Sequence, residues 1–148
     1  MEHEVRVPIT SDADLVPARA EGRSLAQALG FSQTDATLIA TAISEIARNI
    51  VVHARSGEIV MTGIQQPHRY GLVIVASDAG PGIPQIDVAL ERGQTSRQSL
   101  GLGLPGARRL MDEFGVETDA AKGTTVTMIK WRARDELERL RARRRERA

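Results

Sequence analysis

Cysteine does not occur in this 148-residue chain. Its absence excludes disulfide bonds, thiolate metal sites and thiol nucleophiles, and it fits a reducing compartment such as the cytoplasm. Long apolar runs are missing too. No stretch approaches the roughly 18 apolar residues of a membrane span. The opening MEHEVRVPIT is charged and lacks the apolar core of a signal peptide. A soluble, cytoplasmic protein with no membrane contact is the expectation. His3 and His68 fall in an arm and a turn, and no His/Asp/Glu spacing suggests zinc. No internal repeat is visible. Charge of one sign is scarce except at one end. The net charge is +1, yet residues 132–148 hold eight arginines against four acids, so residues 1–131 are net −3. A mildly acidic main domain argues against nucleic acid as its principal ligand.

What is present suggests one domain, large enough to bury a core without staples. EVRVPI alternates like a strand, and Pro8 favours an edge position. LVPARAEGRSLAQALG predicts a helix closed by Gly30, and Ser32 is a candidate N-cap for the next one. That long helix is expected to run to about His53, with Ile39, Ile43, Ile46 and Ile50 on one buried face. GEIVMTGIQQ and GLVIVASD form two strands joined by PHRYG. DAGPGIP is a loop, QIDVALERG a short helix, and QTSRQSLGLG a polar, glycine-rich segment. LPGARRLMDEFG predicts a helix with Leu104, Ala107, Leu110, Met111 and Phe114 inward. VETDA and GTTVTMIKW are the last strands, with Trp131 closing the core. The arginine-rich end is expected to be an exposed or frayed helix, because Leu137 and Leu140 are its only large apolar residues. Segregated helices and strands favour an α+β two-layer sandwich.

Four motifs carry chemistry. Glu45 and Asn49 lie four apart on the long helix, beside its apolar face. A carboxylate there can orient or deprotonate a hydroxyl, and a carboxamide can ligate Mg²⁺. DAGPGI sets Asp78, Gly80 and Gly82 directly after an apolar strand. A carboxylate at a strand end can accept from an exocyclic amine, while glycines let backbone approach a flat ring. GLGLPG sets Gly101, Gly103 and Gly106 before a helix, where free N–H groups and the helix dipole suit phosphates. KGTTV sets Gly123, Thr124 and Thr125 at the entry to the last strand. Taken singly each has a bland reading as a turn, a solvated face or a strand start. Their order and spacing together are far more specific.

In that order the motifs resemble the N, G1 and G2 boxes and the terminal threonine of the GHKL ATPase superfamily. AISEIARNIVVHA, DAGPGIP and GLGLPGARRLMDEF are similar to RsbT-type switch-protein serine/threonine kinases, relatives of the anti-sigma-factor kinases. The resemblance spans about residues 5–131. It implies a Bergerat-type ATP-binding kinase domain over residues 1–131, with a mostly antiparallel mixed sheet and helices on one face, followed by a basic tail over residues 132–148. It implies ATP and Mg²⁺. Asn49 would ligate the metal and Glu45 would be the general base, or would polarise the acceptor hydroxyl. Asp78 would bind the adenine amine, with Gly80, Gly82 and Ile83 shaping that pocket. Gly101, Leu102 and Gly103 would line the triphosphate, and Thr125 would support the adenine site through its hydroxyl. The implied partners are a STAS-domain protein accepting phosphate on Ser or Thr, in a stress-signalling scaffold of the stressosome kind, and a regulatory phosphatase activated on release.

These 148 residues hold no histidine-bearing dimerisation helix and no chaperone or topoisomerase domain, so a sensor histidine kinase is not the expectation. Two other classes stay open: a nucleotide-dependent anti-sigma factor or phosphatase activator with vestigial catalysis, and a nucleic-acid-associated protein acting through its tail. His53 suits either a phosphate or the helix dipole. Arg48 is a surface residue or a substrate contact. Arg92 and Arg97 lie within residues 91–103, read as a lid that closes over nucleotide, with Arg97 a candidate for the γ-phosphate. Ser96 and Ser99 lack a paired base and are not nucleophiles.

Overall fold

A computed structural model describes residues 4–80 and 103–147. Five strands form one sheet: β1 (Glu4–Ile9), β2 (Gly57–Gln65), β3 (Arg69–Asp78), β4 (Glu113–Asp119) and β5 (Gly123–Ala133). Their order is β1-β2-β3-β5-β4, and every pairing among the described strands is antiparallel. Among the described residues, four α-helices accompany them: α1 (Leu15–Ala28), α2 (Gln33–His53), α3 (Gly103–Leu110) and α4 (Glu136–Arg147). The α+β sandwich is the expected one. β1 is an edge strand with Pro8 exposed, as a residue without an N–H requires.

Strand alternation decides which side chains meet the helices. Val7, Ile9, Ile59, Met61, Leu72, Ile74, Val126 and Met128 are buried on one face. α2 lays Ile39, Ile43, Ile46 and Ile50 against them in a single core. Burying each such side chain contributes about 1.5–3 kcal/mol, so this stripe dominates the domain's stability. The helix starts where the Ser32 hydroxyl accepts from the Asp35 N–H at 3.0 Å, a cap contributing about 1 kcal/mol. It ends at His53, and Arg55 follows with φ of 71°.

Three expectations are corrected. The helix read through Phe114 stops at Leu110. There the Lys130 ammonium donates to the Leu110 carbonyl at 2.9 Å, and the Asp112 N–H reaches the Ile129 carbonyl at 3.0 Å. The β5 ladder thus captures the chain early, and Phe114 becomes a β4 residue packed on the core's edge. Trp131 does not close the core. It shares the parity of Thr125, Thr127 and Ile129, whose side chains point away from the helices. Its indole N–H donates to Glu113, and Arg69 lies 3.6 Å over its ring. The tail is the expected exposed helix, but against expectation it is anchored at its base. Asp135 and Glu138 exchange backbone–side-chain hydrogen bonds of 2.7 and 3.1 Å, a capping box for α4.

Arg132 clamps that base. Its guanidinium grips Glu138 through two bonds of 2.9 and 2.8 Å and donates to the Leu29 carbonyl at 2.7 Å. The guanidinium groups of Arg132 and Arg134 lie 4.4 and 4.5 Å from the Tyr70 ring centre. The clamp holds the Glu138 carboxyl down from 4.5 to about 2. Its stabilisation is therefore complete above the ordinary carboxylate value and fades only as pH falls through about 2. Among the described residues, no helix is long and apolar enough to cross a membrane.

Candidate functional site

Three elements converge at the end of the sandwich opposite α4: the last turns of α2, the end of β3 with the start of β5, and the first turn of α3. Glu45 is only 5% exposed although its side chain is a carboxyl group. It accepts a hydrogen bond from the Gly103 N–H at 2.8 Å, through one carboxylate oxygen. Gly103 opens α3 with φ of 51°, a left-handed conformation suited to glycine. A residue 58 positions away thus receives the free N–H at the mouth of a helix. The other Glu45 oxygen has no partner among the described residues. Asn49 follows one turn later on α2, half-buried, and its carboxamide has no partner among them either.

At the sheet end, Asp78 uses one oxygen to hold the local backbone. Its Oδ1 accepts from the Gly80 N–H at 2.9 Å and from the Thr124 N–H at 3.3 Å. Its Oδ2 is unpartnered among the described residues. Gly80 sits against Ala54, leaving no room for a side chain between β3 and the end of α2. Gly123 has φ of 91°, and a Cβ there would run into the Asp78 carbonyl oxygen. Backbone closeness at both glycines therefore shapes the Asp78 corner.

Thr125 is not at this corner. It pairs with Ser77 and shares the outer face of the sheet, away from Asp78. Thr124 is the inward threonine: 3% exposed, paired with Asp78 in register, its hydroxyl 3.0 Å from that of Thr118. The signal was available in the alternation fixed by buried Val126 and Met128. Replacing Thr124 by valine is expected to weaken ATP binding and lower thermal stability, while Thr125→Val does neither. Calorimetric titration and a melting curve of each variant check this.

Gly82, Ile83, Gly101 and Leu102 lie outside the described residues, as do Arg92, Ser96, Arg97, Ser99, the helix read in QIDVALERG and the lid reading of residues 91–102. His53 is exposed at the end of α2. Arg48 lines a cavity of about 370 Å³ with Asp12, Leu15, Val16, Arg19 and Ser44, on the flank of α2 next to Glu45 and Asn49.

A carboxylate and a carboxamide on one helix, a sheet-end carboxylate oxygen unpartnered among the described residues and a glycine-led helix start stand together at this end of the sandwich. Residues 9–130 match the family model of the histidine kinase-like ATPase domain. The chain is 44% identical over 131 residues to serine/threonine-protein kinase RsbT of Bacillus subtilis, which takes in 88% of this chain and 98% of that protein. It is 32% identical over 108 residues to the anti-sigma F factor of Clostridium kluyveri, covering 67% and 76% of the two chains. A similar factor from Geobacillus kaustophilus is 32% identical over 126 residues, covering 76% and 86%. The chain belongs to the histidine kinase-like ATPase family and, within it, to the RsbT-type serine/threonine-protein kinases.

Proposed function

We propose that this kinase passes the γ-phosphoryl group of ATP to a serine or threonine of a STAS-domain protein in a cytoplasmic partner-switching pathway of stress and sigma-factor control. When released from a stressosome-type scaffold it activates a regulatory phosphatase. The observation that carries the enzymatic reading is the Glu45–Gly103 bond. It puts a buried carboxylate at the positive end of a glycine-led helix, where phosphate oxygens bind. Glu45 accepts or orients the acceptor hydroxyl proton with its second oxygen. Asp78 accepts from the adenine amine through Oδ2. Gly80 keeps the backbone close to the ring, and Gly103 contributes its helix start to the triphosphate. For Gly82, Ile83, Gly101 and Leu102 the family resemblance is the support.

Mg²⁺ fits the donor set. Among the described residues no group of three or more His, Asp or Glu could hold a metal, and Mg²⁺ needs few protein ligands when phosphates supply the rest. The unpartnered Asn49 carboxamide would hold it. Bound there, the ion would neutralise charge on the phosphates. The remaining work is positioning and electrostatics by the chain itself.

The anti-sigma factors among the relatives favour a second reading, a nucleotide-dependent binding module without transfer. Intact Glu45 and Asn49 oppose it. Capturing the partner from cell extract with a Glu45→Gln trap, then supplying radiolabelled ATP and the parent chain, separates the two. Label on a serine or threonine of a STAS protein is the expected result. A stable nucleotide-dependent complex that never acquires label would establish the binding module instead.

A further inference from the structure

The chain carries an unused helix and an unused sheet face that match each other. α4 begins after the family model ends at residue 130. Its Leu137 and Leu140 are 56% and 48% exposed, two of the three large apolar side chains so exposed among the described residues. They stand three apart, on one side of the helix. Arg139, Arg141, Arg143, Arg144 and Arg145 surround them, all exposed, and none pairs with a carboxylate among the described residues. The helix is not a loose end. Its capping box and the Arg132 clamp tie its base to Leu29 at the α1–α2 turn, on the helix side of the sheet.

The other side of the sheet has the opposite character. Val60, Ile64, Val73, Val75, Ile129 and Trp131 lie on its outer face, half-buried by their neighbours, and no described helix covers them. Trp131 lies flat across Gly71, beside Ile64, under Arg69. One rim of this apolar field is acidic. Edge strand β4 turns Glu113, Glu117 and Asp119 outward, all exposed. A helix with two leucines among arginines therefore has, on the same molecule, a sheet with an apolar centre and a carboxylate rim. In its own chain α4 is held on the far side.

We infer that α4 of one copy docks on the outer sheet face of a second copy, so that the kinase forms a reciprocal dimer. Two-fold symmetry satisfies both helices and both faces at once, because each copy carries both surfaces. Leu137 and Leu140 meet the apolar field around Trp131, and the arginines reach the β4 carboxylates. Like charge keeps two α4 helices from pairing with each other directly. Arginine forks on carboxylates also make the association salt-sensitive.

Sedimentation velocity on the full chain tests this, with circular dichroism to verify folding. The parent is expected to dimerise in a concentration-dependent way that weakens with salt. Leu137→Ser with Leu140→Ser removes only exposed side chains, so the fold stays intact while association falls more than about tenfold. Glu117→Arg should also weaken it, and adding Arg143→Glu and Arg144→Glu to that variant should restore it. A parent that stays monomeric at every concentration overturns the inference. So does a serine double variant that dimerises as well as the parent. Dependence on duplex DNA or on anionic vesicles for any α4-dependent association would equally assign the helix to another occupant.

Discussion

Glutamine in place of Glu45 is expected to leave ATP binding intact and to lower phosphoryl transfer by about 10²–10⁴, the usual scale for a general base. The structure makes this substitution more informative than alanine. One Glu45 oxygen holds the Gly103 N–H. A glutamine carbonyl can keep that bond, so the start of α3 stays formed, and only the basicity of the second oxygen is lost. Alanine removes both. It strands a donor at the helix mouth, at a cost of about 1–3 kcal/mol, and should disturb phosphate binding along with transfer. Single-turnover transfer at saturating ATP, beside a nucleotide titration, reads the two effects apart. Full transfer by Glu45→Gln with loss in Glu45→Ala would make Glu45 a positioning residue that acts through Gly103.

The parts of the molecule legible in the sequence are those governed by local chemistry and period. Ser32 caps α2 as its side chain predicts. The isoleucine stripe is the buried stripe. β2 and β3 begin and end near the turn residues that bound them. Where the reading failed, a distant partner decided. Phe114 reads as a helix residue until the β5 ladder captures it. The tail lacks apolar residues to anchor it, and two leucines do remain exposed, yet an Arg132–Glu138 pair fastens its base to a carbonyl 103 positions away. Thr125 and Trp131 lie on the outer face of the sheet for another reason. Motif matching points to a neighbourhood, and strand parity then decides which residue faces the site. At the candidate site, the order of Glu45, Asn49, Asp78 and the glycines is a pattern the sequence itself displays. That Glu45 binds Gly103 is not displayed there, because a bond spanning 58 residues leaves no periodic trace.

Asparagine in place of Asp78 should do more than weaken ATP binding; it should alter which purine is preferred. Asp78 Oδ1 accepts from the Gly80 and Thr124 N–H groups at 2.9 and 3.3 Å. An amide donor cannot face those two donors, so the asparagine carbonyl oxygen takes the place of Oδ1. Its NH₂ then occupies the place of Oδ2, the oxygen proposed to receive the adenine amine. The corner keeps its backbone bonds, so folding should be unaffected. Donor now meets donor. Losing a charge-assisted bond of this kind costs about 1.5–3 kcal/mol, a fall in ATP affinity of roughly tenfold to a hundredfold. Inosine triphosphate presents a carbonyl acceptor where ATP presents the amine, and the new NH₂ can donate to it. Binding of inosine triphosphate should therefore hold or improve in Asp78→Asn while ATP binding drops. Calorimetric titration of both nucleotides into parent and variant measures the crossover. Equal losses for the two nucleotides would show that Asp78 shapes the corner without reading the base, and unchanged ATP affinity would remove it from the site.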